Sequence, residues 1–245
     1  MRRPKIKLPL KLIITIISFI GVFFIIGHLA RILRNSDYFK IKDIVAQETN
    51  LVDLSYLKGR NIFNVNLKKE SSYISELYPT YKKIVFIKIL PNRLFIDFIR
   101  RKPLAYIKLY RYFCVDEDLV LFDVSSQLEE SDLPIILGLE TKIFAPKLGR
   151  KYSLRELLLA LDIINEVKTN RALKDCKVKR IDVSNPSSAS FFTQDDLEIK
   201  LGEDDIEDRI NILSSLFTQV RSDWGNIKYI DLRFKEPVIK FKNAQ

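Results

Sequence analysis

Histidine is almost missing from this chain of 245 residues: His28 is the sole example, and it falls in the most apolar stretch. Everything beyond that stretch lacks an imidazole. This excludes histidine general-base catalysis, Ser-His-Asp triads and histidine metal sites from the body of the protein. Cysteine is scarce as well. Cys114 and Cys176 lie far apart, form no CxxC pair and are too few for a disulfide framework. Buried free thiols are the first reading, and one bridge in an oxidising compartment is the alternative. The seven glycines form no phosphate-cradling loop. No internal repeat or low-complexity tract is present. With 47% aliphatic and aromatic residues the chain has enough apolar mass to fold, so wholesale disorder is excluded.

The net charge of +10 is unevenly spread. Arg2, Arg3, Lys5, Lys7 and Lys11 place five positive charges in the first eleven residues, with no acid among them. The remainder is only mildly basic, which argues against a nucleic-acid-binding body. From Leu12 through Phe19 and Phe24 to Ala30 no residue is charged. That length is sufficient to cross a hydrocarbon core of about 30 Å at 1.5 Å per residue. The basic residues ahead of it outnumber Arg31 and Arg34 behind it. They predict a cytoplasmic N-terminus and an extracytoplasmic body. A cleaved signal peptide is the rival reading. Its apolar core would be shorter, and its end would carry small residues where His28-Leu29-Ala30-Arg31 stands. His28 reads as reaching the membrane interface, with an embedded functional group as the alternative.

Beyond Asp37 strand and helix signals alternate. Ile41–Ala46 reads as a short strand, Leu51–Leu57 as a short helix stopped by Gly59, and a further helix of about three turns follows Leu67. Tyr73, Ile74, Leu77 and Tyr78 would be its apolar face, and Pro79 its end. Tyr81–Ile89 and Leu94–Arg100 read as strands joined at Pro91-Asn92. Strand, helix, helix, strand, strand would make a small sheet with helices on one face. After Lys102-Pro103, strands are expected at Ala105–Leu109, Arg111–Val115 and Leu119–Phe122, with an extended segment at Leu133–Gly138. Ser153-Leu154-Arg155-Glu156 has the form of a capping box before a helix carrying Leu154, Leu157, Leu158, Leu161 and Ile164 at helical spacing. Val178–Val183, Ser190–Thr193 and Leu197–Leu201 read as a meander. A second helix is expected over about Asp204 to Arg221, then strands at Lys228–Phe234 and Val238–Phe241.

Few residues suggest chemistry. Asp116 and Asp118 read as turn formers before a catalytic pair. Glu203, Asp204, Asp205, Glu207 and Asp208 suit a helix N-terminus better than a cation site, since no EF-hand spacing is present. Trp224 reads as packing beside Gly225, with a binding anchor as the alternative. In the final strands Ile230, Leu232 and Phe234 alternate with Tyr229, Asp231 and Arg233, the pattern of a half-buried strand, and a last strand is a candidate sheet edge. Lys235, Lys240 and Lys242 would then protect the edge or serve binding by strand addition.

Several segments, in order, resemble the FtsQ/DivIB cell-division family. Tyr38-Phe39-Lys40-Ile41-Lys42-Asp43-Ile44 resembles the strand opening that family's POTRA domain. Gly59-Arg60-Asn61-Ile62-Phe63-Asn64-Val65-Asn66-Leu67 is similar to its G-x-N-hydrophobic-F-x-hydrophobic segment, and Leu90-Pro91-Asn92-Arg93-Leu94 to its P-x-T-L strand entry. Arg100-Arg101-Lys102-Pro103-Leu104-Ala105 resembles the E-R-x-P-hydrophobic-A junction, with Arg100 where Glu is usual. Tyr112 to Phe122 resembles the V-D-x-x-G-x-x-F hairpin, with Leu119 replacing the Gly, so a differently built turn is expected. Tyr229-Ile230-Asp231-Leu232-Arg233-Phe234 is similar to the terminal Y-I-D-L-R-F strand.

The resemblance implies an α+β protein. Its parts would be a cytoplasmic tail (1–11), a transmembrane helix (12–30), a β-α-α-β-β POTRA domain (37–103), a mainly antiparallel β domain with two helices (104–235) and a C-terminal strand or tail (236–245). It implies a non-enzymatic divisome scaffold of the inner membrane and the septum, without cofactor, metal, nucleic-acid or small-molecule ligand. Its partners would be FtsB-like and FtsL-like single-pass proteins and other division components, besides the lipid bilayer. It would link cytoplasmic division assembly to septal wall synthesis. The partner surface it implies comprises Tyr229, Asp231, Arg233, Phe234, Val238 and Lys240. POTRA modules also serve outer-membrane assembly and secretion proteins, so an adaptor or chaperone in envelope protein export is the second reading. A membrane-anchored envelope enzyme is the third, against which the missing histidine and nucleophile motif count.

Overall fold

The computed structural model describes residues 10–46, 52–124, 132–219 and 224–242. The protein is α+β and divides into two compact units, Met1–Leu77 with Tyr81–Ile99, and Tyr78–Thr80 with Arg100–Gln245.

The first unit begins with α1, Leu10–Asn35, a helix of 26 residues. Aliphatic residues dominate it, and Arg34 in its last turn complements the helix dipole. Its Ile14–Asn35 stretch is long and apolar enough to cross a membrane, and none of it is buried by the rest of the chain. Phe19 is 78% exposed and Phe24 72%. A core helix would show the reverse. The uncharged run from Leu12 to Ala30 lies within this helix, which continues through Arg31 and Arg34 without a break.

A small sheet follows, built from β1 (Asp43–Ala46), β2 (Tyr81–Ile89) and β3 (Arg93–Arg100) in the order β1-β3-β2. β1 runs parallel to β3, with Ile44 opposite Leu94. The crossover between β1 and β2 carries α2, Leu67–Leu77. Two expectations need correction here. The first of the two helices is only a 3-10 turn, Ser55–Leu57, whose first N–H is capped by Asp53; Leu51 lies outside the described residues. The apolar face expected on α2 is also narrower. Ile74 is buried, whereas Tyr73 and Leu77 are more than half exposed. Glu70 is the other buried residue of α2, held by the Tyr56 hydroxyl at 2.9 Å and by Arg60 at 3.0 Å.

The second unit is one nine-stranded mixed sheet with α3 (Arg155–Thr169) and α4 (Ile206–Gln219) on one face. Its strands are β4 (Ala105–Lys108), β5 (Tyr112–Val115), β6 (Leu121–Phe122), β7 (Ile135–Leu137), β8 (Val178–Asp182), β9 (Ser190–Thr193), β10 (Glu198–Lys200), β11 (Ile227–Asp231) and β12 (Val238–Phe241). They lie in the order β12-β11-β10-β9-β8-β7-β4-β5-β6. Antiparallel pairs predominate, but β4–β7, β7–β8 and β10–β11 are parallel. Each of the last two closes over a helix, as parallel pairing requires. Leu157, Ile163, Phe191, Ile199, Leu213 and Ile230 lie in the core between sheet and helices, each essentially without exposure.

The turn at Asp116–Leu119 is held by Asp116, whose Oδ1 accepts the N–H groups of Asp118 (3.1 Å) and Val120 (2.9 Å). Leu119 takes φ +64 itself, the left-handed conformation a glycine would adopt freely. The Ser153 capping box does not form. The helix begins one residue later, its N-cap Leu154 offers no side-chain oxygen, and Glu156 pairs instead with Lys142 at 3.1 Å. Of the acidic run at the start of α4, Glu203 is engaged within the chain, accepting from Ser187 and pairing with Arg155.

Both cysteines are free and buried. Cys114 packs with Tyr106 and Phe122 on the sheet face away from the helices, and Cys176 belongs to the helix-side core.

Candidate functional site

A nine-stranded open sheet has two edges, and this one treats them differently. At the β6 end the backbone of Leu121 is bonded to Gly149 (2.7 Å) and Arg150 (3.2 Å), and Val120 bridges Lys151. That edge is covered by its own chain. At the other end β12 pairs only with β11 among the described residues, leaving one side of its backbone open. Open edges are avoided or used.

The terminal strand expected at the edge is therefore displaced by one. β11, which carries Tyr229 and Asp231, is internal, sandwiched between parallel β10 and antiparallel β12. Its Ile227 and Ile230 are fully buried. The strand also ends earlier than the alternation suggested. Asp231 is its last residue, and Arg233 and Phe234 lie in the bend between β11 and β12.

The six singled-out residues occupy two adjacent places. Tyr229 is directly opposite Lys240, and Asp231 is directly opposite Val238. These four share the sheet face away from the helices, because Ile230 and Ile239 between them belong to the helix-side core. Val238 is 46% exposed, and Lys240 is exposed. Asp231 is buried and turned inward. Its carboxylate receives Arg233 Nε at 2.9 Å, Arg233 Nη2 at 2.6 Å and the Arg233 backbone N–H at 3.2 Å. Arg233 holds the Asp231 carboxyl below the usual carboxylate range, and Asp231 in turn raises the guanidinium. The other face of this arrangement is open. The Arg233 guanidinium stands 5.8 Å from the ring of Phe234, which is 60% exposed.

Sequence reasoning missed Glu198 and Lys200 on β10. The ammonium of Lys200 lies 4.5 Å from the Tyr229 ring centre, with that of Lys240 6.0 Å away. Tyr229 is thus flanked by cations from both neighbouring strands, a cation–π arrangement. No local signal marks Lys200, because the parallel β10–β11 pairing brings together residues separated by all of α4. The row continues in register across the sheet, from Lys240 through Tyr229, Glu198, Phe192 and Arg180 to Ile135 and Tyr106. Arg180 lies 3.9 Å over the Phe192 ring.

Trp224, the only tryptophan, packs edge-on against Phe217 at 4.5 Å beside the helix-side core. It is a packing residue.

Comparison with known proteins places this architecture. The family model "Cell division protein FtsQ/DivIB, C-terminal" matches residues 105–233. The chain is 23% identical over 218 residues to "Cell division protein FtsQ" of Geotalea daltonii, a match covering 85% of this chain and 78% of that protein. It is 23% identical over 217 residues to the protein of the same name from Syntrophotalea carbinolica, covering 85% and 76%. For Koribacter versatilis the identity is 26% over 187 residues, covering 74% and 52%. The matched region runs from the first residue of β4 to Arg233, which takes in the sheet up to the bend before β12. With its long apolar helix and this large mixed sheet, the chain belongs to the FtsQ/DivIB family of cell-division proteins.

Proposed function

We propose that the protein is a non-enzymatic scaffold of the division machinery that captures FtsB-like and FtsL-like single-pass proteins on its β12 edge. The observation that carries this reading is the asymmetry of the large sheet: one edge covered by residues 149–151, the other open at β12 among the described residues. An extended segment of a partner adds to such an edge through backbone hydrogen bonds, and nearby side chains select it. Val238 and Lys240 on the strand, Tyr229 behind it and the Arg233–Phe234 bend supply apolar, cationic and aromatic contacts. Asp231 positions Arg233.

α1 spans the inner membrane, with the basic N-terminus in the cytoplasm and both units outside it. Residues 37–103 act as a POTRA domain and residues 104–235 as the β domain. The protein thereby connects cytoplasmic division assembly to septal wall synthesis.

The test is affinity capture of co-expressed FtsB-like and FtsL-like proteins by the full chain and by a chain ending at Glu236. The shorter chain loses β12 and retains Ile227, Ile230 and Leu232, which are buried in the full chain. Capture by the full chain and its loss from the shorter one is the expected result; equal capture by both would overturn the edge assignment. A reporter fused after Gln245 tests the orientation, and filamentous growth on depletion tests the process.

A further inference from the structure

The Asn61-Ile62-Phe63-Asn64 segment has a role that partner binding leaves unexplained. Asn61 is buried, and its Nδ2 donates to the carbonyl oxygens of Leu33 (3.0 Å) and Ser36 (3.2 Å). Asn64 Nδ2 donates to the carbonyl of Arg34 at 3.4 Å. Leu33 and Arg34 lie in the last turn of α1, whose carbonyls have no partner inside the helix, and Ser36 is the first residue past it, its oxygen shared with the Phe39 N–H at 3.3 Å. Asn61 Oδ1 simultaneously accepts the Phe63 N–H at 3.0 Å, which fixes its own loop.

The two segments are further joined through their backbones. Ile62 N–H donates to Phe39 O (2.8 Å), Ile41 N–H to Arg60 O (2.9 Å), and Gly59 N–H to Ile41 O (2.9 Å). Ile41 and Ile62 lie beneath this seam, fully buried. The apolar helix therefore does not lead into a free tether. It ends in a clasp built by the domain that follows it.

Around that clasp aromatic and basic side chains face outward. Tyr38 stacks edge-on against Phe39 at 5.2 Å, and Phe39 against Phe63 at 5.0 Å. Tyr38 is 65% exposed and Phe63 36%. Arg31 and Arg34 are exposed and form no ion pair among the described residues. Aromatic rings at the end of an apolar span are the residues that settle at a membrane–water interface, and nearby arginines reach lipid phosphates.

We propose that the Asn61–Asn64 loop and the Tyr38-Phe39 turn form a membrane-interface seat: the asparagines lock onto the end of α1, and Tyr38, Phe39, Phe63, Arg31 and Arg34 lie in the phospholipid headgroup layer. The partner is the lipid surface, and continuity with the apolar helix identifies it. The seat holds the first unit against the bilayer at a fixed angle to the span. The inference rests on the reading of α1 as a membrane anchor.

The test uses the full chain in phosphatidylethanolamine–phosphatidylglycerol vesicles, with Trp224→Phe removing the native tryptophan. Phe19→Trp, Tyr38→Trp and Phe63→Trp are then examined singly with lipids carrying a quencher either at the headgroup or deep in the chains. Phe19→Trp is expected to be quenched by the deep probe. Tyr38→Trp and Phe63→Trp are expected to be quenched about two-fold more by the headgroup probe than by the deep one, as interfacial rings are. Adding Asn61→Ala or the milder Asn64→Ala to Phe63→Trp should shift its quenching toward an aqueous quencher. If Phe19→Trp responds to the deep probe while Tyr38→Trp and Phe63→Trp respond only to the aqueous one, the seat is overturned and the anchor stands. If Phe19→Trp is not lipid-quenched, the anchor reading fails and the seat with it.

Discussion

Arg233 folds back onto Asp231 in a two-pronged ion pair, Nε to Oδ1 at 2.9 Å and Nη2 to Oδ2 at 2.6 Å, closing the bend that separates β11 from β12. The pair makes charge reversal at Arg233 a poor probe of binding. A glutamate there would face the buried Asp231 carboxylate and disturb the approach to β12 whatever the partner does. Arg233→Gln, which removes the charge without adding a like one, separates the two effects. It should weaken partner capture while lowering stability by about 1.5–3 kcal/mol, the scale for hydrogen bonds to a charged group, since both prongs to the buried Asp231 are lost.

Asp231 links the same bend to pH. Its folded-state pKa is depressed, chiefly by the Arg233 hydrogen bonds. A depressed carboxyl adds stability that is complete above its unfolded value, about 3.9, and is lost as pH falls through the lower folded value. Stability of the wild-type protein should thus drop between pH 5 and the acid range by more than that of Asp231→Asn, with the variant less stable at pH 7. Urea midpoints at pH 7, 5 and 3 check this. Parallel profiles for the two proteins would contradict it.

Arg101 and Asp116 form a buried ion pair, at 2.6 Å with side chains 12% and 2% exposed. Arg101 Nε also donates to Pro79 O at 3.0 Å, and Asp116 holds the two turn N–H groups. Asp116→Ala strips the ion pair and both turn bonds at once, and leaves the buried Arg101 guanidinium with the Pro79 carbonyl but no counter-charge. The expected loss is about 3–5 kcal/mol, the range for breaking one side of a buried pair. Asp116→Asn retains an acceptor for the turn and should lose less. Chemical denaturation of both variants measures the gap.

Leu119 offers a case where two effects oppose. Replacing it by glycine relieves a positive φ, a gain of about 1–2 kcal/mol for a non-glycine residue in this region. The side chain, however, is 6% exposed in the helix-side core, and losing a buried leucine costs about 2–5 kcal/mol. Burial wins, so Leu119→Gly should destabilise, although it restores the residue the family resemblance leads one to expect.

The legible parts of this fold were those whose causes are local. Tyr81–Ile89 and Val238–Phe241 announce themselves by β-branched and aromatic content, and the α3 leucines by their spacing. What escaped was non-local. The 3-10 turn at Ser55–Leu57 has too few residues to hold a helix once Gly59 breaks it. Tyr73 and Leu77 satisfy a helical period, but the small sheet of the first unit buries only Ile74. β11 looked like an edge because β10, its parallel neighbour, is a helix away in sequence. At the candidate site Tyr229, Val238 and Lys240 were named from the family resemblance, while Lys200 required the sheet order. Asn61 was visible only as part of a motif, since the carbonyls it caps lie 25 and 28 residues earlier.

The two thiols give a redox prediction. Burial pushes Cys114 up to about 12 and Cys176 up to about 11. The thiolate is the reacting form. Neither should react with a thiol reagent at pH 8 until denaturant is added, and the two lie on opposite faces of the sheet, so no bridge joins them. Non-reducing and reducing gels should give the same mobility. Rapid labelling of the native protein would show that one thiol has become accessible.

The β12 edge can be tested one hydrogen bond at a time. Lys242 N–H donates inward, to Asn226 O at 2.8 Å. Donors alternate along a strand, so the N–H groups of Phe241 and Ile239 point outward, toward the open side. Phe241 is 44% exposed and its backbone donor is not needed by β11. Phe241→Pro removes that outward donor and should abolish or strongly reduce capture of the FtsB-like partner while shifting the thermal midpoint little, because proline is tolerated at a sheet edge. Phe241→Ala keeps the donor and loses only the ring. If strand addition drives recognition, the alanine variant retains most of the binding that the proline variant loses. Equal losses in the two would assign recognition to the side chain, and undiminished binding in both would remove this edge from the interface.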